Sequence, residues 1–292
     1  MSGKRATSPS KIESARLRRL ERGDLEAAHG LSVAVGWPHR LADWQTVFEI
    51  GHGYCAYDAI GRLAGTAMWW PMEPDFAMVG MVIVDPGLQS QGLGRKLMRA
   101  VFEATSARAL ELHSTAAGIK LYESEGFRAV GGLEQHQGTA RLPKAKPLRS
   151  VKVRPWQALD WGAILELDRA AYGYDRREVL SAITRGAAGM VCESEARMTG
   201  FAFCRNSGRG QVIGPIVADD ASVATELARS FIADREGQFL RVDIPEGSSD
   251  FTGVMVESGL LPAGPATTMV RGSRASRKGP ARVFGLVNQA IG

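Results

Sequence analysis

Residues 78–98 read Met-Val-Gly-Met-Val-Ile-Val-Asp-Pro-Gly-Leu-Gln-Ser-Gln-Gly-Leu-Gly-Arg-Lys-Leu-Met. An apolar run gives way to a Pro-Gly break, then to Gln89-x-x-Gly92-x-Gly94, then to a segment with Leu97, Val101 and Phe102 at helical spacing. These residue types in this order suit the holding of phosphates. A helix start leaves backbone N–H groups without intrahelical acceptors and carries partial positive charge. Glycines let the backbone turn sharply and approach a ligand closely. The glycine pattern alone is a weak signal, and its weight comes from the strand before it and the helix after it. It lacks the Lys-Ser/Thr of a P-loop and the first glycine of a dinucleotide fingerprint.

The elements that must position this loop follow from periodicity and breakers. Residues 15–20 read as a first strand, and Asp24 reads as the N-cap of a helix over 25–35. A helix over 42–50 follows the Gly36-Trp37-Pro38-His39 break. Strands are expected over 54–57, 63–70 and 76–84, a helix over 94–105, and a strand over 109–113. A helix over 116–124 then closes at Gly126, and a strand begins at 128. Residues 137–148, with Gly138, Pro143, Lys144, Lys146 and Pro147, read as a linker.

Beyond the linker the order of elements recurs. Ala171-Tyr172-Gly173-Tyr174-Asp175 echoes Ala34-Val35-Gly36-Trp37-Pro38, and Gly214-Pro215-Ile216-Val217-Ala218-Asp219 echoes Gly80–Asp85. Glu257-Ser258-Gly259-Leu260 echoes the segment Glu123–Phe127. The chain therefore reads as an internal repeat. The second copy carries Asp220-Ala221-Ser222-Val223-Ala224-Thr225 where the glycine loop would fall, and Met255 or Val256 where Tyr122 would fall. It reads as a degenerate copy.

A chain of 292 residues favours two domains over one. The 45% hydrophobic and 23% charged fractions place it among globular proteins, with no apolar run approaching a membrane span. The polar, basic start leads into no apolar stretch of a secretory signal, so a cytoplasmic setting is expected. Cys55, Cys192 and Cys204 show no metal spacing and no disulfide framework. No metal is expected. The net charge of +5 sits largely near the two ends. With no aromatic interleaving it reads as solvated surface, and nucleic acid is not an expected partner.

The glycine loop together with Leu121-Tyr122-Glu123-Ser124-Glu125-Gly126-Phe127 resembles the GNAT superfamily of acyl-CoA N-acyltransferases. The resemblance is motif-bearing over about 15–137 and degenerate over 150–272, as in bacterial tandem acetyltransferases. It implies an α/β (α+β) fold of two tandem GNAT-like domains, each a twisted mixed sheet flanked by helices. The implied division is a basic, disordered tail over 1–14, a catalytic domain over 15–140, a linker over 141–149, a degenerate domain over 150–275, and a tail over 276–292 with a strand near Val283–Val287.

The resemblance implies acetyl-CoA as cosubstrate and N-acetyl transfer to a small-molecule or peptide amine by direct attack. The competing expectation is a non-catalytic acyl-CoA-binding sensor. In that family two parallel strands splay apart to admit the acyl-pantetheine arm. The resemblance assigns the main chain of Val82, Ile83 and Val84 to that arm, with Ile83 or Val84 as oxyanion donor. It assigns Gln89, Ser90, Gln91, Gly92, Leu93, Gly94 and Arg95 to the pyrophosphate, and Lys96 and Lys120 to the other phosphates. Tyr122 becomes the general acid, since a phenol of pKa about 10 can protonate a thiolate whose acid has pKa about 8.5. Thr115 stands where the family often has Asn, and no Glu lies on the strand over 78–84. The base is open among Glu111, His113, His39, Glu73 and Asp75. Alternation places Glu111 and His113 on one strand face. Trp37, His39, Trp70 and Asp75 are assigned to the acceptor site. The partner set is an amine acceptor, no membrane, and a monomer or homodimer.

Overall fold

The computed structural model describes residues 15–106, 108–144, 151–194, 197–273, 277 and 279–292. The tail over 1–14 and the later part of the expected linker lie outside the described residues. The chain forms two compact units. One holds residues up to 69 with 81–106; the other holds 70–80 with 107–292. The border between them crosses two strands of the first sequence copy.

The first unit contains β1 (Arg16–Arg19), α1 (Leu25–Ala34), α2 (Leu41–Glu49), β2 (His52–Tyr57), the start of β3 (Leu63–Glu73), the end of β4 (Phe76–Val84) and α3 (Leu93–Thr105). β1, β2 and β3 pair antiparallel in that order. α3 presents Leu93, Leu97, Met98 and Val101 on one buried stripe, the spacing expected of a helix packed on a sheet. Gly65 permits this packing, because a Cβ there would lie 2.9 Å from both the Ile83 carbonyl oxygen and the Leu97 side chain.

Asp24 does not cap α1. It lies in a short 3-10 turn, Arg22–Asp24, with helical backbone angles and no side-chain cap bond to α1. Its carboxylate is engaged elsewhere: Arg18 donates two hydrogen bonds at 2.7 and 2.6 Å, Tyr57 one at 2.6 Å, and the Glu21 amide one at 2.8 Å.

The second unit contains residues 76–80 of β4, then β5 (Ala109–Ser114), α4 (Ile119–Ser124), β6 (Arg128–Thr139), β7 (Lys152–Pro155), α5 (Trp161–Tyr172), α6 (Arg177–Thr184), β8 (Ala188–Ser194), β9 (Arg197–Ser207), β10 (Gly210–Ala218), α7 (Ala221–Asp234), β11 (Phe239–Pro245), α8 (Ser249–Glu257), β12 (Leu261–Arg271) and β13 (Arg282–Gly285). Its strands run β4-β5-β12-β6-β11-β10-β9-β8-β7, with β13 on β10. Pairing is antiparallel except for β4 with β5 and β10 with β11.

Two expectations change here. The helix expected over 116–124 begins at Ile119, because Thr115 and Gly118 form a turn, the Gly118 amide donating to the Thr115 carbonyl at 2.9 Å. Residues 137–139, read as the start of a linker, are the end of β6. Gly138 does not break the chain there: it lies within β6 and serves close approach. A Cβ at this position would collide with the Gly259 carbonyl.

β12, the last long strand of the second copy, sits between β5 and β6 of the first. β6 in turn pairs with β11 of the second. The two sequence copies thus exchange strands within this unit. The repeat also shows in geometry. Arg154 and Asp160 form the same two-bond pair, at 2.8 and 2.8 Å, with the Gln157 amide on the same carboxylate at 2.7 Å.

Burial alone would raise the Asp24 pKa, but Arg18, Tyr57 and the Glu21 amide outweigh it and hold the group at about 2. A carboxylate whose folded pKa is depressed contributes stability above its unfolded value of about 3.9 and loses it as pH falls through the folded value. Asp24→Asn is expected to lower Tm at neutral pH and to remove part of the acid-induced fall in Tm between about pH 4 and pH 2. Melting curves across that range check this.

Candidate active site

In the first unit, β4 delivers the glycine loop through Asp85, whose carboxylate accepts from the Gly87 amide at 2.8 Å. The Gln89 side chain donates to the Val84 carbonyl at 3.2 Å and Gln91 to the Gly87 carbonyl at 3.2 Å. Ser90 and Gly92 both have positive φ, +60° and +96°. Gly92 occupies the N-cap position of α3 and offers no side-chain cap. The first helical bond of α3 runs from the Lys96 amide to the Gly92 carbonyl at 3.0 Å, and no acidic residue lies in the first turn. The leading amides of a 13-residue helix thus have no acceptor on the helix itself. Gln89, Ser90, Gln91, Gly92, Arg95 and Lys96 are exposed, and Leu93 is buried. The Lys96 ammonium donates to the Ala15 carbonyl at 2.8 Å.

Along the end of β4 the backbone alternates. The Asp85 amide bonds the Ala64 carbonyl at 2.8 Å, and Thr66 bonds the Met81 carbonyl at 2.8 Å. Residues 81, 83 and 85 therefore face β3. Strand alternation turns Val82 and Val84 to the opposite edge. Trp37 and His39 also lie in this unit, half-buried, with ring centroids 5.5 Å apart.

In the second unit, the parallel pairing of β4 with β5 covers only Phe76–Met78 against Ala109–Glu111. Tyr122 on α4 is buried, its ring 5.8 Å from Phe127. Burial pushes its phenol above the ordinary value, so it is protonated at neutral pH. Gly118 admits it: a Cβ there would lie 2.8 Å from the Tyr122 ring and 2.9 Å from the Ser114 hydroxyl. Ser114 therefore faces α4. Glu111 and His113 alternate to the other face of β5, where they line a cavity of about 40 Å³ with Tyr172, Tyr174, Thr268 and Gly292. The structure thus brings Glu111 and His113 together, as their spacing implied. The Thr115 side chain, Lys120 and Asp75 are exposed. Trp70 is buried, and its ring would lie 3.1 Å from a Cβ at Gly80.

The second copy repeats this frame with different contents. The Asp219 amide bonds the Thr199 carbonyl at 2.9 Å, matching Asp85 and Ala64. Asp220 then caps α7, its carboxylate accepting from the Ser222 and Val223 amides at 2.8 and 2.9 Å. An anion made by the chain itself thus occupies the helix start. The signal for this cap is an Asp immediately before a helical run, at Asp220. Met255 matches Tyr122: the Leu260 amide returns to the Met255 carbonyl at 3.0 Å, as the Phe127 amide does to Tyr122 at 3.0 Å. Met255 carries no proton to give.

β10 and β11 part early, pairing at Gln211–Leu240 and Val212–Arg241. The opening is filled by β13, which pairs with β10 from Ile216 to Ala218. Beyond it, the Leu286 amide donates to the Asp243 carbonyl at 2.9 Å, and Arg205 donates to the Val287 carbonyl at 2.7 Å. Gly214 lets this segment in, since a Cβ there would collide with the Leu286 carbonyl.

Residues 49–129 and 164–285 each match an acetyltransferase (GNAT) domain. The chain is 24% identical over 217 residues to the uncharacterized N-acetyltransferase YitH of Bacillus subtilis (strain 168), covering 73% of this chain and 76% of that protein. In fold it is similar to a putative acetyltransferase from Pyrococcus horikoshii, with a TM-score of 0.79, 21% identity and 99% of each chain covered. It is also similar to a tandem GNAT protein from the clavulanic acid biosynthesis pathway, with a TM-score of 0.63, 14% identity, and 90% and 99% covered.

Asp220→Ala removes the α7 cap and is expected to destabilise the protein by about 1 kcal/mol. A reduced urea midpoint at unchanged m checks this.

Proposed function

The chain belongs to the GNAT acetyltransferase family, carrying two such domains in tandem, and on that premise we propose that it is an N-acetyltransferase using acetyl-CoA and a small-molecule or peptide amine. The observation that carries the reading is the contrast between two helix starts. α7 is capped by a carboxylate, whereas α3 begins at a glycine with no side chain and no acid in its first turn. An anion is favoured at the uncapped start by partial charge and by donors. We assign the donor's diphosphate to Gln89–Arg95, and assign no donor to the second copy. Lys96 is tied to Ala15 and is a secondary contributor at most.

In the proposed reaction the amine nitrogen attacks the thioester carbonyl, and the developing oxyanion is met by a backbone amide of β4. Alternation favours Val84 or Val82 over Ile83, whose carbonyl faces Gly65. Tyr122 gives its proton to the departing thiolate. A buried phenol is a weaker acid than a free one, but a thiolate remains a sufficient base for a proton it meets directly. Ser114 and Tyr122 lie to one side of β5, and Glu111 and His113 line a cavity to the other.

Calorimetry with acetyl-CoA is expected to give one site per chain. Gly92→Asp, which puts a carboxylate at the α3 start as Asp220 does at α7, is expected to weaken binding at least about 10-fold through charge repulsion and lost donors. Two sites per chain, or undiminished binding in that variant, would overturn the assignment. Tyr122→Phe is expected to lower kcat about 100-fold with little change in donor affinity, read by thiol release across an amine panel. Tight donor binding with no thiol release for any amine would make the protein a sensor instead.

A further inference from the structure

The inserted segment that fills the second copy does not stop at β13. It continues past Gly80, whose added Cβ would lie 3.0 Å from Ala290, and reaches the cavity face of β5. There the Gln289 carbonyl lies 2.9 Å from His113 Nδ1. A carbonyl has no proton to give, so Nδ1 must be the donor. A neutral imidazole with Nδ1–H carries its lone pair on Nε2. His113 lines the cavity with Glu111, Tyr172, Tyr174 and Thr268, the last its cross-strand partner on β12.

We propose that His113 is the general base of the acyl transfer and that residues 288–289 of the inserted segment are its positioning residues, fixing the basic nitrogen at Nε2. The inference rests on the acetyltransferase reading and resolves the base that the sequence leaves open.

The placement of that carbonyl is itself built. The Asn288 side chain accepts from the amides of Ala290 and Ile291 at 2.8 and 3.1 Å, closing a turn around Gln289. The Gln289 side chain donates to the buried Asp243 carboxylate on β11 at 3.2 Å. Asp243 is held in turn by Arg241 at 3.1 and 2.6 Å. The segment is fixed beyond Gln289 as well, where buried Arg176 donates to the Gly292 carbonyl at 2.7 Å. Arg176 is set by the two bonds it donates to the Asp168 carboxylate, at 3.0 and 2.8 Å, and by the Tyr172 ring, 3.3 Å away. A base oriented by a hydrogen bond to its second nitrogen is the arrangement that fixes tautomer and ring direction.

The protons balance. Nε2 of His113 takes one proton from the ammonium form of the acceptor, leaving a neutral amine. The C–N bond forms and the C–S bond breaks. The thiolate takes the Tyr122 proton, and the second proton shed by nitrogen restores Tyr122 through solvent. His113 then releases its proton to solvent.

Among the described residues, the charged and titratable groups lining this cavity with the ring are Glu111 on β5, Tyr172 at the end of α5, Tyr174 just after it, and exposed Arg277. The kcat/KM profile is expected to show an acid limb that His113→Gln abolishes together with about 100-fold of kcat. Glu111→Gln is expected to keep the limb.

Asn288→Ala is expected to lower kcat about 10-fold with KM for the donor unchanged, and Asn288→Asp, which keeps the acceptor oxygen, to restore it. A readout independent of turnover is the ring tautomer. Nitrogen-15 NMR of histidine-labelled protein above pH 8, with His113→Gln identifying the signal, is expected to show Nδ1 protonated in the wild type. An Nε2–H tautomer, or an acid limb that survives His113→Gln in a protein that still binds donor and releases thiol, would overturn the assignment while leaving the acetyltransferase reading intact. Failure to bind any donor would instead overturn that reading, and the base assignment with it.

Discussion

A parallel pair of strands that opens leaves backbone donors and acceptors facing a gap, and each must find a partner or water. β10 and β11 open after two paired positions, and the gap is closed by the chain's own β13 and the residues after it. β4 and β5 pair over three positions, Phe76–Met78 against Ala109–Glu111. In the second copy the opening between β10 and β11 is filled from within the chain. A strand that supplies main-chain hydrogen bonds on both edges does chemically what an extended amide-bearing ligand would do.

The electrostatics of the two helix starts follow the same division. A carboxylate at Asp220 neutralises the partial charge of α7 and uses two of its leading amides. α3 is left with a positive-φ glycine that brings backbone, and nothing else, to the helix start. On α8 the thioether of Met255 stands where the first copy has a phenol, and it is fully buried in the packing. Loss of the glycines, gain of the cap, loss of the phenol and insertion of β13 agree with one another. The second copy keeps the fold and carries a self-satisfied interior.

Much of this was legible from local pattern. The glycine loop, the helix after it and the apolar strand before it announce themselves through breakers and periodicity, which act over a few residues. Glu111 and His113 fall together because strand alternation is strictly local. What was not legible is set by contacts distant in sequence. Asp24 looks like a cap until Arg18 and Tyr57 claim its carboxylate. Gly138 looks like a linker residue because the turn that crowds it, at Gly259 and Leu260, lies far along the chain. The carbonyl that orients His113 belongs to Gln289, 176 positions away. The apolar run Val283–Val287 was visible as a strand, but nothing local names the edge it joins.

The exchange of β12 and β6 between copies bears on how the protein is made. β5 acquires its antiparallel neighbour only when residues 267–271 have been synthesised. β6 likewise waits for β11 and β12. On the ribosome the N-terminal copy therefore emerges with an incomplete sheet and an exposed strand edge, and stays so until nearly the whole polypeptide has left the exit tunnel. Cutting the gene at the repeat boundary would not yield two autonomous halves, since each would lack a strand that the other encodes.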